Sequence, residues 1–428
     1  MKMTVKKSVL GLLSLAAVLA FSGCHSYDIY NSILEEVEIN DLGIQGHINS
    51  FLRSDVTGTD KLYCTNGYVY EREVPSTLST YDEDTESIKW TRILTPADLL
   101  ADSTVDSAMA DAFNTYGGKI LYLASDSSYL YALTMIRYED TDSENQAWRK
   151  DIWYTSDGTS WNLVDLSSYI GEDNSQAADY VYATASGYYV KLLFTNHASS
   201  ASNRAAYLKL YNTTDSAWKI YKLSGSSLTD VTGTNNASSS SISCCNFNGT
   251  DYFSSGYDIQ CNDTYMYYTT TSDVTSSSYR SKIIYYANGW DSDNGFTLDG
   301  SDAGSVTPGT GYVMSLGVTA DYLLIGSSTG IYQAALTSGV PAASTTSFTT
   351  NASSIFTTSY EVYPLFVVDS TLSSTETDIY GAMAIEGTLS STTHGLFEES
   401  GLYAYYAGRG TWNKDGTSSS SDNGQTAQ

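Results

Sequence analysis

Two acidic segments carry the oxygen-rich side chains that could hold a metal ion. They are WDSDNGFTLDGSD, residues 290–302, and YEDTDSEN, residues 138–145. The first holds five carboxylate or amide side chains: Asp291, Asp293, Asn294, Asp299 and Asp302. Oxygen ligands at alternate positions followed by a glycine are typical of a calcium loop, but Gly295 comes one residue early and no glutamate closes the segment. We therefore favour solvated acidic turns over metal sites.

The cysteines and histidines are too widely scattered to indicate a zinc site. Besides Cys24, the chain has four cysteines: Cys64, Cys244, Cys245 and Cys261. Its four histidines are His25, His47, His197 and His394. None of their spacings matches a zinc motif. In an exported protein Cys244 or Cys245 could form a disulfide with Cys261, or the thiols could remain reduced, and the sequence leaves both open.

Two sequence motifs of common enzyme classes are absent. The chain has no P-loop and no dinucleotide-binding fingerprint. Residues 326–330, GSSTG, match Gly-x-Ser-x-Gly, but they lie within a predicted strand repeat and not in the strand-to-helix turn of a nucleophile elbow. Asp and Glu together number 48, so the paired carboxylates of a glycosidase could still meet in the folded protein. We predict no catalytic residue, no cofactor and no resident metal, and we keep a glycan-active enzyme as an alternative.

Cys24 is the residue with the most clearly defined chemistry. Three lysines give the chain a positive start: Lys2, Lys6 and Lys7. A hydrophobic segment, residues 9–21, follows and is too short to span a bilayer, which takes about 20 apolar residues. Ser22 and Gly23 then precede Cys24. The arrangement resembles a bacterial lipoprotein signal of the looser spirochaete type, with Phe21 where leucine is usual.

The resemblance implies cleavage before Cys24 and attachment of lipid, including palmitate, to this cysteine. Two or three acyl chains together anchor a protein stably to a membrane. An ordinary signal peptide with an incidental cysteine is the alternative. Because His25 stands where an aspartate retains some lipoproteins at the inner membrane, we expect a lipid-anchored protein of the outer membrane. Which membrane face it occupies stays open.

The acidic balance of the chain limits its partners. The formal net charge is −27, and removal of residues 1–23 takes away three lysines and no acid, which leaves −30. Such a charge disfavours nucleic acid and anionic lipid headgroups. Apart from the membrane that holds the lipid, we expect a protein or a glycan as partner.

A repeat of short strands must position any site in the remaining chain. Apolar strands alternate with turns rich in Ser, Asp and Gly. Six hairpins end in a large aromatic residue: Trp90, Trp161, Trp218, Trp290, Phe348 and Trp412. One or two further strands precede each hairpin, for example residues 119–124, 180–183 and 313–318. Units of four strands that recur in this way are typical of β-propeller blades, which stack face to face and close into a ring.

We therefore predict an all-β fold, a β-propeller of six blades with four antiparallel strands each. A seventh blade would exist if residues 224–243 form a degenerate one. A pair of β-sandwiches or a β-helix is the alternative fold.

Short segments outside the repeat complete the domain organisation. A helix is predicted from Pro96 to about Phe113, with Thr95 as its N-cap. The last residues are polar and small, and we expect them to be disordered. The predicted order is a signal peptide at 1–23, a lipidated tether at 24–43, the propeller at 44–416 and a disordered tail at 417–428.

Two segments resemble the PQQ-like propeller repeat. They are ILYLASDSSYLYAL, residues 120–133, and DYLLIGSSTGIYQ, residues 321–333. In that repeat two strands flank a turn containing aspartate, and the second strand ends Leu-Tyr-Ala-Leu. A lipoprotein propeller of this kind implies a scaffold for outer-membrane protein assembly.

Another segment, TSDGTSW at residues 155–161, resembles the Asp-box hairpin of sialidase-like propellers. The resemblance implies a structural role: Asp157 caps a tight turn, Gly158 takes a positive φ, and Trp161 packs between blades. The Arg-Ile-Pro motif of sialidases is absent, so the resemblance predicts fold and no catalysis.

The chain has 37 tyrosines, which supply the remaining candidates for a site. Most should lie within the sheets. Tyr129, Tyr188 and Tyr257 adjoin turns and could stack on sugars or contact protein at the propeller rim. We predict a membrane-anchored lipoprotein of the bacterial envelope that acts as a non-catalytic protein- or glycan-binding module. A periplasmic scaffold for outer-membrane protein assembly and a glycan-active enzyme are the alternatives.

Overall fold

The computed structural model places part of the chain, and the structural statements below concern these residues. They are 44, 48–74, 90–101, 107–139, 146–171, 180–195, 204–231, 259–261, 265–269, 284–288, 290–291, 295–296, 304–306, 313–327, 330–348, 361–384, 401–407 and 411–414.

The first three sheets each consist of four consecutive antiparallel strands. Sheet 1 contains β1 (Ser50–Ser54), β2 (Lys61–Thr65), β3 (Val69–Glu73) and β4 (Thr91–Leu94). Sheet 2 contains β5 (Gly118–Ser125), β6 (Leu130–Glu139), β7 (Gln146–Thr155) and β8 (Asn162–Leu163). Sheet 3 contains β9 (Val190–Thr195), β10 (Ala206–Asn212), β11 (Ala217–Ser224) and β12 (Ser227–Asp230).

Three further sheets follow in chain order. Sheet 4 contains β13 (Ile259–Cys261), β14 (Tyr265–Thr269), β15 (Ile284–Asn288) and β18 (Gly304–Val306), and a separate pair is formed by β16 (Trp290–Asp291) and β17 (Gly295–Phe296). Sheet 5 contains β19 (Val313–Val318), β20 (Tyr322–Ser327), β21 (Gly330–Thr337), β22 (Val340–Pro341) and β23 (Thr346–Ser347). Sheet 6 contains β24 (Glu361–Val367), β25 (Ile379–Ala384), β26 (Gly401–Tyr406) and β27 (Thr411–Lys414).

The first strands of the sheets are the inner strands of a ring. Strand β5 lies against both β1 and β9, β19 lies against β13 and β24, and β24 lies against β1. The last contact joins sheet 6 to sheet 1, and among the strands that the structure describes none belongs to both sheets. The fold is therefore a β-propeller, as predicted. The described residues hold six sheets of four or five strands, and most of residues 224–243 lie outside them.

Apolar cores between neighbouring sheets hold the propeller together. Leu133 of sheet 2 packs in one core with Leu208 of sheet 3. Phe51 of sheet 1 packs in another with Phe366 of sheet 6, and their rings stack at 5.6 Å between centroids. Full burial of a large apolar side chain contributes about 1.5–3 kcal/mol, so each sheet depends on its neighbours for stability.

The aromatic residues that close the predicted hairpins do not all occupy the same strand. Four lie in or beside the last strand of their sheet: Trp90, Trp161, Phe348 and Trp412. Trp218 instead lies in β11, and β12 follows it in the same sheet. Trp290 lies in β16, outside sheet 4. The aromatic residue therefore marks each unit without fixing which strand of the unit carries it.

The predicted helix after Thr95 forms in two pieces, α1 (Pro96–Leu100) and α2 (Ser107–Tyr116). The N-cap is confirmed, because the Asp98 backbone N–H donates to Thr95 Oγ1 at 3.3 Å and the Thr95 N–H donates to Asp98 Oδ2 at 2.7 Å. The described residues also contain α3 (Ser167–Ile170) and α4 (Tyr180–Tyr189). No helix in the placed segments is long and apolar enough to cross a membrane.

The strand predicted at residues 180–183 is wrong, because these residues open α4. Tyrosine and valine favour strands, but Tyr182, Ala183 and Ser186 are buried together at helical spacing. The small side chains of Ala183 and Ser186 allow the helix to lie closely against β7. Tertiary packing thus overrides the local preference for a strand.

Candidate functional site

One end of sheet 3 brings together residues that are far apart in the sequence. Because neighbouring strands are antiparallel, β9 begins, β10 ends and β11 begins at the same end, which we call the upper end. Helix α4 leads directly into β9 there. The register pairs Tyr211 with Trp218 and places Val190 beside Leu210. The last residues of α4 therefore lie beside the side chains of β10 and β11.

Four aromatic rings form a continuous row at the upper end, and we call them the aromatic row. Tyr188 meets Tyr189 edge to face at 5.5 Å between centroids, and Tyr189 stacks on Tyr211 at 4.8 Å. Tyr211 in turn meets the edge of Trp218 at 5.3 Å. Tyr188 is 65% exposed, the largest value for a large hydrophobic side chain in the described residues. The other three rings are half-buried.

Two lysines flank the aromatic row. Lys191 Nζ lies 5.0 Å from the ring centroid of Tyr188 and 5.8 Å from that of Trp218, and Lys209 Nζ lies 5.5 Å from that of Trp218. Cations at these distances are attracted to the ring faces. The pairing of β9 with β10 skips Lys191, which is the extra residue of a β-bulge. Bulges redirect side chains, and this one accounts for the position of Lys191 beside the row.

Sheet 3 is basic although the whole chain is acidic. Residues 190–231 contain five basic and two acidic residues, a net charge of +3, whereas the chain carries −27. Both acids, Asp215 and Asp230, form ion pairs with Lys219. Hydrogen bonds from Lys219 first to Asp215 and then to Asp230 raise the pKa of this lysine above its ordinary value. Both acids of this stretch are therefore ion-paired with Lys219.

A buried ion pair lies under α4. Arg149 and Asp151 of β7 have side chains only 1% exposed, and Arg149 Nε donates to Asp151 Oδ2 at 2.7 Å. Tyr182 of α4 donates from its hydroxyl to Asp151 Oδ1 at 3.3 Å, and its ring faces the Arg149 guanidinium at 4.4 Å. A buried charge pair with further hydrogen bonds has little freedom to move. It therefore fixes α4 on β7.

Two hydrogen bonds fix the end of α4 that carries Tyr188. The Lys150 backbone N–H donates to Ser186 Oγ at 3.1 Å. Lys150 Nζ donates to the Val190 carbonyl at 3.0 Å, directly after the helix ends. The lysine ammonium also suits the partial negative charge of a helix C-terminus. Tyr188 is thus displayed from a rigid support.

The Asp-box segment has the geometry that its resemblance implies. Asp157 Oδ1 accepts the backbone N–H groups of Thr159 at 2.8 Å and Ser160 at 2.7 Å. These bonds hold the pKa of the Asp157 carboxyl well below its ordinary value. Gly158 has a φ of +76°, and Trp161 packs against the core between sheets 1 and 2. Each of the three residues has a structural role.

Tyr129 supports the turn between β11 and β12 and is partly buried. Its ring lies half-buried under Gly225, and it meets Tyr154 edge to face at 5.6 Å. Beside it, the Tyr131 hydroxyl donates to Asp126 at 2.6 Å and accepts the Gly225 backbone N–H at 2.8 Å. Burial, and next the Asp126 charge, raise the pKa of Tyr131. This cluster joins sheet 2 to sheet 3.

The two PQQ-like segments fall on different parts of their sheets. Residues 120–133 span β5 and β6, the first and second strands of sheet 2. Residues 321–333 span β20 and β21, the second and third strands of sheet 5. Asp321 nevertheless lies between the first two strands of sheet 5, and it accepts the Ser374 backbone N–H of sheet 6 at 2.8 Å.

Several residues singled out from the sequence lie outside the described residues. They are Cys24, Cys244, Cys245, Tyr257, the four histidines, and Asp293, Asn294, Asp299 and Asp302. Asp291 ends β16, Cys261 ends β13, and Cys64 is buried in β2. No group of three or more potential metal-binding side chains occurs within the placed parts of the chain.

Comparison with family models and with curated proteins finds no match. Among solved structures, a glucose dehydrogenase is similar at 8% identity over 85% of this chain and 97% of its own, with a TM-score of 0.37. Regucalcin, a calcium-binding protein from Agrobacterium tumefaciens, is similar at 12% identity over 85% and 90%, with a TM-score of 0.34. The C-terminal domain of gp131 from bacteriophage phiKZ is similar at 8% identity over 82% of this chain and 94% of its own, with a TM-score of 0.33. At these identities the likenesses say nothing about activity.

Proposed function

We propose that this protein is a lipid-anchored, non-catalytic binding module of the bacterial envelope, and that the aromatic row is its contact surface. Cys24 carries the lipid, the tether spaces the propeller from the membrane, and the propeller presents the row. The membrane is the outer membrane, and the partner is a protein or a glycan.

The observation that carries the proposal is the exposure of Tyr188 at the end of four contacting rings. Single exposed apolar residues are common and need no explanation. Here the exposed ring continues into Tyr189, Tyr211 and Trp218, and buried contacts of α4 hold it in place. Rigid aromatic side chains that combine an apolar body with a polar tip are enriched at recognition surfaces.

The contacts of three described carboxylates support a non-catalytic role for these three residues. Asp151 faces Arg149 in a buried pair, Asp126 accepts from its own turn and from Tyr131, and Asp157 accepts from its own turn. A glycosidase needs two carboxyl groups facing a substrate. These three are each satisfied by neighbouring groups of the protein.

The binding surface is tested with matched tyrosine variants of the full chain in detergent. Tyr68 is also exposed, at 43%, and also lies beside a cation, because the Arg92 guanidinium is 5.5 Å from its ring centroid. A panel of defined neutral and acidic polysaccharides is screened by affinity electrophoresis. A polysaccharide that slows the migration of the wild-type protein should no longer slow Tyr188→Ala, and it should still slow Tyr68→Ala. Retention unchanged in Tyr188→Ala contradicts the assigned surface, and cleavage of a retained polysaccharide contradicts the non-catalytic role.

The anchor is tested separately by labelling cells with radioactive palmitate. Wild-type protein should carry the label and partition into detergent, and Cys24→Ser should do neither. Label that persists in Cys24→Ser would show that the lipid is attached to another residue.

A further inference from the structure

We propose that the aromatic row binds an anionic glycan, one whose sugar rings carry carboxylates. The inference rests on the proposed function and names the chemistry of its ligand. It assigns the stacking contact to Tyr188 and the charge contact to Lys191.

The sugar part of the ligand follows from the shape of the row. The apolar C–H face of a sugar ring packs well on an aromatic ring, and the tyrosine hydroxyls add hydrogen-bond donors at the rim. Tyr188, Tyr189, Tyr211 and Trp218 succeed one another at centroid distances of 5.5, 4.8 and 5.3 Å. Tyr188 offers the exposed ring, and the half-buried rings of Tyr211 and Trp218 extend the aromatic surface beside it. An extended surface suits a chain of sugar rings better than a single small molecule.

The negative charge of the ligand follows from the local charge of the protein. Residues 190–231 carry +3 within a chain of −27. Arg204 of this stretch is paired with Asp55 beside β1, and the remaining local excess of positive charge attracts an anion to sheet 3 more than to the acidic remainder of the chain. The five basic residues of this stretch include both lysines of the row, and its two acids are held by Lys219. This charge complementarity favours an anionic glycan over a neutral one.

Lys191 is the side chain best placed to bind a carboxylate of the ligand. Its ammonium lies 5.0 Å from the centroid of the exposed Tyr188 ring, and the β-bulge of β9 directs it there. A sugar stacked on Tyr188 would bring its carboxylate beside this ammonium, where a charge-assisted hydrogen bond can form. Lys209 is buried, with its ammonium 5.5 Å from the ring centroid of Trp218, and it takes no direct part in the proposed contact.

The charge requirement is tested with polygalacturonate and its fully methyl-esterified form, which has the same sugar rings without the charge. Both are titrated into the full chain in detergent by isothermal calorimetry. We expect the charged polymer to bind about tenfold more tightly, the gain typical of one hydrogen bond to a charged group. In Lys191→Gln the two polymers should bind alike, and in Tyr188→Ala both should bind weakly. Tyr68→Ala should match wild type.

The outcomes separate the inference from the proposed function. Equal binding of both polymers, or a preference for the charged one that persists in Lys191→Gln, contradicts the proposed charge contact at Lys191. The proposal that the aromatic row binds a glycan would still stand. Polyglutamate carries carboxylates without sugar rings. If it binds as tightly as polygalacturonate, and Tyr188→Ala does not weaken its binding, the assignment of a sugar ligand is contradicted. If Tyr188→Ala alters no binding at all, the row is not the contact surface and the proposed function fails with it. Circular dichroism of each variant confirms that it is folded.

Discussion

Gly187 of α4 lies so close to Trp148 of β7 that a Cβ built on the glycine would stand 1.7 Å from the Trp148 carbonyl oxygen. The helix and the strand meet here through their backbones, with no side chain between them. Because Tyr188 is the next residue, this contact sets the position of the first ring of the aromatic row. The surface that we assign to binding therefore depends on a glycine that contacts no ligand.

Gly187→Ala should destabilise the protein. A glycine-to-alanine change inside an exposed helix normally stabilises it by about 0.5–1 kcal/mol. Here the added methyl group has no space, so the sign should reverse and α4 should lose protection against hydrogen exchange. Urea unfolding and exchange of α4 amides measure both effects. Thr184→Ala, at an exposed position of the same helix, is the control. A gain of stability in Gly187→Ala would show that α4 is not held against β7.

The buried pair of Arg149 and Asp151 should be costly to break from one side. Arg149→Met leaves the Asp151 charge buried without its main partner, and we expect a loss of about 3–5 kcal/mol in the free energy of unfolding. The double variant Arg149→Met/Asp151→Leu removes both charges and should recover most of that loss. A double-mutant cycle in urea provides the comparison. Additive losses in the double variant would mean that the two charges do not depend on each other.

The Asp157 turn should make stability depend on pH in acid. Because the folded protein lowers the pKa of this carboxyl, its contribution is complete above the unfolded-state pKa, about 3.9, and is lost as pH falls through the lower folded-state pKa. Asp157→Asn should thus be less stable than wild type at pH 7, and the gap should narrow below about pH 4. Urea unfolding of both proteins at a series of pH values from 7 to 2 measures this difference in the free energy of unfolding. Asp111→Asn, at an exposed position of α2, controls for the loss of one charge. A gap that stays constant with pH would contradict this role.

Side-chain contacts between sheets 1 and 6 close the propeller in the part of the chain that the structure describes. Phe51 stacks on Phe366, and Arg53 Nη1 donates to the Val368 carbonyl at 2.8 Å. Phe51→Ala should cost about 3–5 kcal/mol, typical of a phenylalanine removed from a core, and should raise hydrogen exchange in both sheets. Phe194→Ala is the control, because Phe194 is equally buried but stacks on Tyr207 within sheet 3. Exchange that rises uniformly in both variants would show that the closure is not a separate unit.

The repeat could be predicted from the sequence because each unit alternates apolar strands with turns and ends near an aromatic residue. The strand that carries the aromatic residue could not be predicted, as Trp218 shows, because burial of a large ring is favourable at several positions of a blade. Residues 180–183 were predicted as a strand because tyrosine and valine favour strands. The small residues Ala183, Ser186 and Gly187 were the signal for a helix packed on a strand.

The site was only partly predictable. Tyr188 was a candidate because it adjoins a turn. Its neighbours Tyr211 and Trp218 could not be grouped with it, because they meet it only through the antiparallel register of β10 and β11. The position of Lys191 depends on a β-bulge, and nothing in the local sequence indicated one.

The measurement that most directly tests the aromatic row as the contact surface is hydroxyl-radical footprinting of the wild-type chain with and without polygalacturonate. Our account predicts that the polymer protects Tyr188 most and Tyr211 next, while Tyr68 reacts at the same rate in both samples. Protection of Tyr68 with no change at Tyr188 would place the contact elsewhere on the propeller and contradict the account.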